Sequence, residues 1–227
     1  MESYSSRRSR SAEAEISVVS GSAIAAALIE RGLDVAQVLI ARSGRAALLP
    51  RGHRRDGRAP SEYTGESRAE ALVELPFRSF GDLLRDLSVR LPDAVFVPAL
   101  HGPGDESGEV QQLLDSHGLA FVGARPDAAA LGMDKARFKD LAASLGLPTL
   151  PHMVVSAAQW GSARAEIESE ISTFAAAHTA AGALMGKPVA HGSSIGMRIA
   201  RTSAEWPLAV ELALEYGDAA LLEPYLT

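Results

Sequence analysis

Short apolar runs alternate with amphipathic stretches along this chain, a pattern typical of strands that alternate with helices. Residues 1–12 are Ser/Arg-rich without hydrophobic periodicity, and we expect them to be mobile. Apolar residues then recur at helical spacing and predict a helix over about residues 17–31. The β-branched run Val35–Ile40 predicts a buried strand, and the Arg/Gly/Pro-rich residues 41–68 predict a surface excursion with little capacity to pack.

The alternation continues through the middle of the chain. The pattern predicts a helix over 79–91, a buried strand over 93–100, a glycine-rich loop and helix ending at His117, a strand over 120–126, and one helix over 126–147. Strands and helices alternating at this spacing indicate an α/β fold with a parallel sheet. In such a sheet, ligand-binding groups collect in the loops that follow the carboxyl ends of the strands.

The last third of the chain has a different order of elements. Pro148 and Pro151 suggest a hinge into a second unit. The following pattern predicts the order β-α-β-β-α-β, an α+β split-βαβ sandwich. The predicted strands are 153–156, 182–190, 198–200 and 220–226, and the predicted helices are 157–179 and 203–215.

Composition narrows the class of protein. The 227 residues are 47% hydrophobic, which is enough for a real core. The 28 acidic residues outnumber the 22 basic ones, so broad attraction to nucleic acid or to an anionic membrane is not expected. The absence of Cys excludes disulfides, thiolate metal sites and Cys nucleophiles. No apolar run approaches the roughly 18 to 20 residues that span a bilayer, and a cytoplasmic location is expected.

Lysine is scarce in this chain. Only Lys135, Lys139 and Lys187 are lysines among the 22 basic residues, and the others are arginines. A compact, rotatable ammonium group suits a position among phosphate oxygens better than a planar guanidinium does. Each lysine is therefore a candidate for a specific role.

Two segments of the second unit could bind a nucleotide. Lys187 precedes a Gly/Ser loop, Gly192, Ser193, Ser194 and Gly196, whose backbone N–H groups could surround phosphates, although an ordinary hairpin is the simpler interpretation. In the run 222–226, Glu223 could accept from an adenine amino group or a ribose hydroxyl. Alternatively, this run is an edge strand marked by Pro224 with one solvated acid.

Two further candidates lie in the first unit. His101 follows a predicted strand and is flanked by a glycine loop, although an isolated histidine in such a place is usually a hydrogen-bonded structural residue. Glu13 opens the first predicted helix, where an acidic residue is also favoured by the helix dipole alone.

Five blocks in this order resemble the D-alanine–D-alanine ligase family of the ATP-grasp superfamily. They are SRSAEAEISVVSG (9–21), VPALHGPGDESGEVQQLLDSHGLAFVGA (97–124), AAALGMDKARFKDLAASLGLPTLP (128–151), GKPVAHGSSIGM (186–197) and LLEPYL (221–226). The resemblance implies an N-terminal α/β domain over 13–127 and an ATP-grasp central subdomain over 128–227, with the C-terminal part of the ATP-grasp fold missing.

The resemblance also implies roles for single residues. Glu13 would orient the amino group of the first D-alanine, His101 would lie on the substrate side, and Ser193 would be hydrogen-bonded near the substrate. Lys135 and Lys187 would hold the phosphates of ATP beneath the loop formed by Gly192, Ser193, Ser194 and Gly196. Glu223 and Leu226 would contact adenosine, which leaves Lys139 as a surface lysine.

The chain departs from the family pattern at both ends. The family begins with a strand and a Gly-Gly loop, whereas MESYSSRRSR holds neither a β-branched run nor glycines. The family's ligands for two Mg²⁺ ions lie beyond Thr227, so ATP and Mg²⁺ are the implied cofactors but this chain carries no metal ligands. An apolar strand face with Leu222 and Leu226 is accordingly expected to be uncovered.

Three functions follow from these observations. The first is ATP-dependent joining of two D-alanines for peptidoglycan synthesis, with this chain expected to be a truncated or inactive form and a homodimer implied for the intact family form. The second is a non-catalytic remnant that binds nucleotide. The third is an ATP-grasp ligase for another amino or hydroxy acid.

Overall fold

The computed structural model describes residues 14–41, 43–49, 78–102, 106–180 and 182–226. The chain divides into two compact units between Ala128 and Ala129. This division lies N-terminal to the proline pair at 148 and 151. Among the described residues, no helix is both long enough and apolar enough to cross a bilayer.

The N-terminal unit contains helices and short strands. In chain order they are α1 (Ala14–Glu30), β1 (Val38–Ile40), β2 (Arg45–Leu48), β3 (Arg78–Ser79), α2 (Phe80–Arg90), β4 (Val95–Phe96), α3 (Glu109–Ser116), β5 (Ala120–Phe121) and α4 (Pro126–Met133). Strands β4 and β5 pair in parallel, as predicted. Strands β1, β2 and β3 form an additional antiparallel sheet, which the sequence pattern does not predict.

Strand β2 lies inside the segment that the composition marks as a surface excursion. Ala46 and Ala47 are almost fully buried there, and Ala46 packs with Leu83 and Leu87 of α2. The prediction for 41–68 is therefore wrong over residues 45–48. Two alanines carry little hydrophobic signal among arginines and glycines, but their small side chains allow the strand to approach the helix closely.

Helix α2 contributes buried side chains to two hydrophobic clusters of the N-terminal unit. Leu83, Leu84 and Leu87 share one face at helical spacing and are buried. The helix begins at a Ser79 cap, whose Oγ accepts the Asp82 N–H at 3.1 Å. Leu84 packs against α3 in a second cluster with Val110, Leu114 and Leu119. The helix thus joins the antiparallel sheet to the layer that carries β4 and β5.

The second unit matches the predicted order of elements. After α5 (Lys135–Ser144) come β6 (Met153–Ser156), α6 (Ala157–Ser162), α7 (Arg164–His178), β7 (Leu184–Pro188), β8 (Arg198–Ala200), the 3-10 turn Ser203–Glu205, α8 (Trp206–Leu214) and β9 (Ala219–Pro224). The sheet order is β6-β9-β7-β8, with every neighbouring pair antiparallel. Strand β9 thus lies between β6 and β7, which run in the same direction. This is the split-βαβ arrangement.

Two helices that were predicted as continuous are divided. The segment 126–147 is interrupted at Asp134, whose Oδ1 accepts the Arg137 N–H at 3.0 Å and so starts α5 as a separate helix. The segment 157–179 is interrupted at Ala163, which ends α6 and precedes α7. Apolar periodicity continues across both positions, so it does not reveal the new helix start.

The second unit closes its own core. Val155, Ile171, Leu184, Val210 and Leu222 are fully buried in one cluster between the sheet and helices α7 and α8. The expectation that Leu222 lies on an uncovered face is therefore wrong, because those helices cover it. Leu226 lies beyond the strand and is 67% exposed.

Candidate functional site

A cluster of three lysines around one carboxylate lies on one face of the second unit's sheet. Lys187 on β7 is in register with Leu221 on β9, so Lys187 and Glu223 point to the same side. The ammonium group of Lys187 donates to Glu223 Oε1. The ammonium group of Lys139 on α5 lies 2.9 Å from Glu223 Oε2. Both carboxylate oxygens are thus held by cations.

Lys139 is not the surface lysine that the sequence analysis expects. Its side chain is only 17% exposed and directly contacts Glu223. The physical reason is helical spacing, since Lys135 and Lys139 lie four residues apart on α5 and therefore share one face. This spacing is the sequence signal that could have placed Lys139 in the site.

Lys135 completes the cluster at the start of α5. Its ammonium group donates to the carbonyl of His191 and, at 3.3 Å, to that of Val189. Burial, together with the nearby charge of Lys187, lowers the pKa of Lys135. Three ammonium groups lie near two carboxylates, Glu223 and Asp134, so the cluster keeps a positive excess and favours an additional anion.

The carboxyl group of Glu223 is ionised despite its burial. Burial by itself would raise its pKa, but the hydrogen bonds from Lys187 and Lys139 outweigh burial and hold the pKa below its ordinary value of 4.5. The side chain is 11% exposed. In the absence of other ligands, Glu223 is the counter-ion of both lysines.

The Gly/Ser loop between β7 and β8 has an unusual backbone. Ser193 and Ser194 both have left-handed φ angles, 53° and 58°, which are uncommon for residues with a Cβ. Gly196 has φ +71°, and a Cβ there would lie 2.7 Å from Pro188 Cγ, so only glycine fits. The Ile195 N–H donates to the Gly192 carbonyl at 3.1 Å and the Met197 N–H donates to the Ser194 carbonyl at 3.3 Å, so the loop consists of consecutive tight turns. The side chains of Ser193 and Ser194 are exposed.

His191 precedes this loop, and the sequence analysis did not identify it. The residue is 4% exposed, its ring meets the Tyr216 ring edge-on at 5.9 Å, and its Nε2 has no hydrogen-bond partner among the described residues. Its backbone carbonyl accepts from Lys135. The residue links the loop to the lysine cluster. An isolated histidine between Ala190 and Gly192 gives no pattern that would have revealed this.

The C-terminal strand differs from the predicted edge strand. Strand β9 has a neighbour on each side, so the interpretation of Pro224 as the mark of an edge is wrong. Proline is tolerated because pairing with β6 ends at Leu222, leaving no partner for a missing N–H on that side. The Tyr225 N–H donates to the Ala183 carbonyl at 3.0 Å, so strand pairing already uses this backbone donor. Leu226 follows at the exposed end of the strand.

The N-terminal unit holds its own polar group after β4. The His101 N–H donates to Ser17 Oγ at 2.9 Å, and its Nε2 lies 3.1 Å from Ser20 Oγ. Glu106 Oε1 lies 3.6 Å from the other ring nitrogen, and Glu106 Oε2 accepts the Gly102 N–H at 3.0 Å. The half-buried imidazole is therefore fixed between α1 and the glycine-rich loop.

Two other sequence-based expectations concern Glu13 and metal ligands. Glu13 lies outside the described residues. Over the described ranges, no group of three or more His, Asp or Glu side chains is arranged to hold a metal ion. The lysine cluster therefore offers cations, with Glu223 already paired.

Comparison with known families agrees with this geometry. The family model described as D-ala D-ala ligase N-terminus matches residues 9–124, and the model described as D-ala D-ala ligase C-terminus matches residues 141–227. A D-alanine–D-alanine ligase of Streptomyces coelicolor is 33% identical over 96% of this chain and 58% of its own length. That of Gloeobacter violaceus is 38% identical over 62% of this chain and 45% of its own length.

Solved structures show the same fold. The D-alanine–D-alanine ligase of Helicobacter pylori has a TM-score of 0.71 at 22% identity, covering 96% of this chain and 64% of its own. That of Coxiella burnetii has a TM-score of 0.70 at 24% identity, covering 96% and 61%. The chain spans about half the length of the curated relatives it matches. From the two family models and the shared fold, the chain belongs to the D-alanine–D-alanine ligase family.

Proposed function

We propose that this chain provides the nucleotide-binding part of an ATP-dependent D-alanine–D-alanine ligase. The observation that carries the proposal is the convergence of Lys135, Lys139 and Lys187 around Glu223, since all the lysines of the chain meet on one face of one sheet. In the reaction, ATP would phosphorylate the carboxylate of one D-alanine, and the amine of a second would displace the phosphate. D-alanine is the proposed substrate because the curated relatives carry that name.

The phosphates of ATP would bind between Lys135, Lys187 and the loop Gly192–Gly196. Charge-assisted hydrogen bonds from ammonium groups are about twice as strong as neutral ones. Lys187 would release Glu223 Oε1 to reach a phosphate, whereas Lys139 would keep Oε2. The loop would add backbone N–H donors, and Ser193 would contribute its exposed hydroxyl near the acceptor carboxylate.

The rest of the nucleotide and the substrate would use other residues. Glu223, once released by Lys187, would accept from adenosine, and the exposed Leu226 would cover the base. Glu13 and His101 are proposed to contact the first D-alanine. A homodimer and a cytoplasmic location stay predictions from the resemblance.

Magnesium is expected beside ATP in this family, but the described residues do not fit it. Mg²⁺ prefers carboxylate oxygens, but Glu223 is already held by two lysines, and Asp134 beside Lys135 caps α5. We therefore assign no step to a metal held by these residues. What the chain itself supplies is positive charge for the phosphates and a fixed acceptor for adenosine.

Calorimetric titration of ATP into the full chain tests the proposal. Lys187→Ala should weaken ATP binding by about 1.5 to 3 kcal/mol, the typical contribution of a hydrogen bond to a charged group. Arg137→Ala is the matched control, because it removes one cation from the exposed side of α5. Equal ATP affinity for Lys187→Ala and the parent would refute the assignment of Lys187. No ATP binding by the parent would refute the nucleotide-binding function.

A further inference from the structure

His191 follows β7 at the end of the second unit's sheet, and the proposed function assigns no role to its side chain. Lys187 points toward α5, whereas the next residue, Pro188, points to the opposite face, because the side chains of a strand alternate. The His191 ring packs on Tyr216, which follows α8, while its carbonyl accepts from Lys135 on α5. His191 therefore contacts elements on both faces of the sheet.

Tyr216 supports both ends of the Gly/Ser loop. The His191 ring meets the Tyr216 ring edge-on, with ring centroids 5.9 Å apart. At the other end of the loop, a Cβ on Gly196 would lie 2.8 Å from Tyr216 Cδ2, so the loop backbone lies directly on the same ring. The Tyr216 N–H donates to the Ala213 carbonyl at 3.1 Å. The loop is therefore seated on the C-terminal end of α8.

The imidazole of His191 also closes the first turn of this loop. Its Nδ1 lies 3.2 Å from the Gly192 carbonyl oxygen, which can only accept, so Nδ1 carries the proton of the neutral ring. The same oxygen accepts the Ile195 N–H at 3.1 Å. Nε2 then carries no proton, and it is buried without a partner among the described residues. One carbonyl oxygen thus binds both the side chain that precedes the turn and the backbone that ends it.

The backbone of the same residue orients Lys135. The carbonyls of His191 and Val189 both accept from the ammonium group of Lys135. The Val189 N–H donates to the Ala219 carbonyl of β9 at 3.0 Å, which fixes this segment to the sheet. An ammonium group has three N–H donors. Because two of them point at carbonyls, the direction of the third is set, and this is the donor that the proposed function assigns to phosphate.

We propose that His191 is a positioning residue for phosphate binding, whose ring and Nδ1–H hold the Gly/Ser loop while its carbonyl holds the ammonium group of Lys135. This inference rests on the proposed function, since phosphate is the ligand that the loop and Lys135 would share. In this role His191 touches no reacting atom. It orders both phosphate contacts before the nucleotide binds, and a site that is already ordered loses less conformational freedom on binding.

A matched pair of substitutions separates this role from packing alone. His191→Asn and His191→Gln both remove the ring and its contact with Tyr216. Asparagine places an amide N–H near the position of Nδ1, whereas glutamine places one near the position of Nε2. If the Nδ1–H holds the loop, asparagine should replace the histidine and glutamine should not. If His191 only fills space, the larger glutamine should be at least as good a replacement.

NMR on the full chain without nucleotide tests the contact with the loop. At about pH 8, where histidine is neutral, the ring nitrogen shifts of His191 should place the proton on Nδ1. In His191→Gln the backbone order parameters of residues 192–197 should fall to below about 0.6, whereas His191→Asn should keep the values of the parent. Unchanged order parameters in α7 and β9 would confirm that both variants fold. A proton on Nε2, or equal loop order in the two folded variants, would overturn the proposal.

Calorimetric titration with ATP and with inorganic triphosphate tests the consequence for phosphate. His191→Gln should bind both ligands at least about fivefold more weakly than the parent, the effect of one lost hydrogen bond, and His191→Asn should stay within about twofold. The loss should be equal for the two ligands, because the loop and Lys135 would contact phosphate rather than adenosine. ATP binding by the parent with equal affinity for both variants would refute only the role of His191. Binding of neither ligand by the parent would refute the proposed function together with the phosphate role.

Discussion

At the scale of single residues, the functional assignment depends on how Glu223 is shared between two lysines. Lys139 holds one carboxylate oxygen at 2.9 Å, and Lys187 holds the other. In the proposed mode of ATP binding, only Lys187 would leave Glu223 to reach a phosphate. Lys139 would then be the cation that still contacts Glu223 directly and orients it toward adenosine.

Replacement of Lys139 tests this division of roles. Lys139→Ala should weaken ATP binding by about 1 to 2 kcal/mol, because Glu223 loses its remaining charged partner. Lys139→Arg should restore most of the affinity, since it keeps the charge. Inorganic triphosphate lacks adenosine, so its affinity should change much less than that of ATP. An equal loss for both ligands would contradict the assignment of Lys139 to the adenosine side.

The same carboxylate gives the protein an acid-sensitive contribution to stability. Because the pKa of Glu223 is lower in the folded protein than its ordinary 4.5, its stabilising effect is fully present above about pH 4.5 and is lost as pH falls through the folded-state pKa. Denaturant unfolding at a series of pH values should show this loss in the parent. In Glu223→Gln the slope below pH 4.5 should be smaller, and an unchanged slope would mean that other carboxyl groups dominate.

At the scale of elements, the position of Lys187 depends on how closely β7 approaches α8. A Cβ on Gly186 would lie 2.8 Å from Ala209 Cβ and 3.1 Å from its carbonyl oxygen. The glycine thus sets the distance between the strand that carries Lys187 and the helix behind it. Neither neighbouring atom belongs to a flexible side chain.

Gly186→Ala is therefore expected to destabilise the second unit by about 1 to 3 kcal/mol, the usual cost of overpacking. The matched control is Gly161→Ala on α6, where a Cβ meets nothing within 4 Å and the change should be neutral or stabilising. Urea unfolding monitored by tryptophan fluorescence measures the stability of both variants. Similar midpoints for the two variants would show that α8 can move away without cost.

The cap of α5 is the second element-level feature on which the site depends. Asp134 starts this helix one residue before Lys135, so the cap fixes the direction in which both lysines of α5 project. Asp134→Ala should cost about 1 kcal/mol of stability and should also weaken ATP binding. Asp134→Ser keeps a capping side chain and should restore both the stability and the ATP affinity. Loss of stability with unchanged ATP affinity would show that the lysines do not need the cap.

Sequence patterns identify elements better than they identify close contacts. The split-βαβ order of the second unit is confirmed because its strands are apolar and its turns are glycine-rich. Strand β2 was missed because two alanines carry little signal, although Ala46 is fully buried. Lys139 was misplaced because its partner Glu223 is 84 residues away, and only the fold brings the two together.

At the scale of the whole molecule, the two units differ in how completely their cores are closed. Ten buried residues form a single cluster in the second unit, and Leu222 belongs to it. The N-terminal unit instead contains an open cavity beneath α1. The sequence predicts the reverse order of stability, with residues 152–227 weaker than 70–150, because it places Leu222 on an uncovered face.

Because Leu222 is buried, we expect hydrogen exchange to give the opposite result from the one that the sequence predicts. Amides of β7 and β9 should exchange more slowly than those of β4 and β5, because local opening costs least where few apolar contacts close a segment. Exchange followed by mass spectrometry on dilute protein measures the difference. Faster exchange in β7 and β9 would support the sequence-based expectation instead.

The 227-residue chain alone is expected to bind ATP weakly and to make no D-alanyl-D-alanine. The described residues supply cations for phosphate but no set of carboxylates for Mg²⁺, so Mg²⁺ should improve binding only slightly. Calorimetry with and without Mg²⁺, together with phosphate release in the presence and absence of D-alanine, measures these properties. Dipeptide above the level of a no-protein sample would show that the chain is catalytically sufficient.

Under the proposed function, the pairing of Lys187 with Glu223 would make nucleotide binding an exchange of one ion pair for another. Lys187 would exchange its pairing with the Glu223 carboxylate for a pairing with a phosphate oxygen. The net gain is the difference between two strong interactions, which keeps the affinity moderate. Release of the nucleotide would then be assisted by Glu223, because the displaced carboxylate would remain beside Lys187 and could return to it.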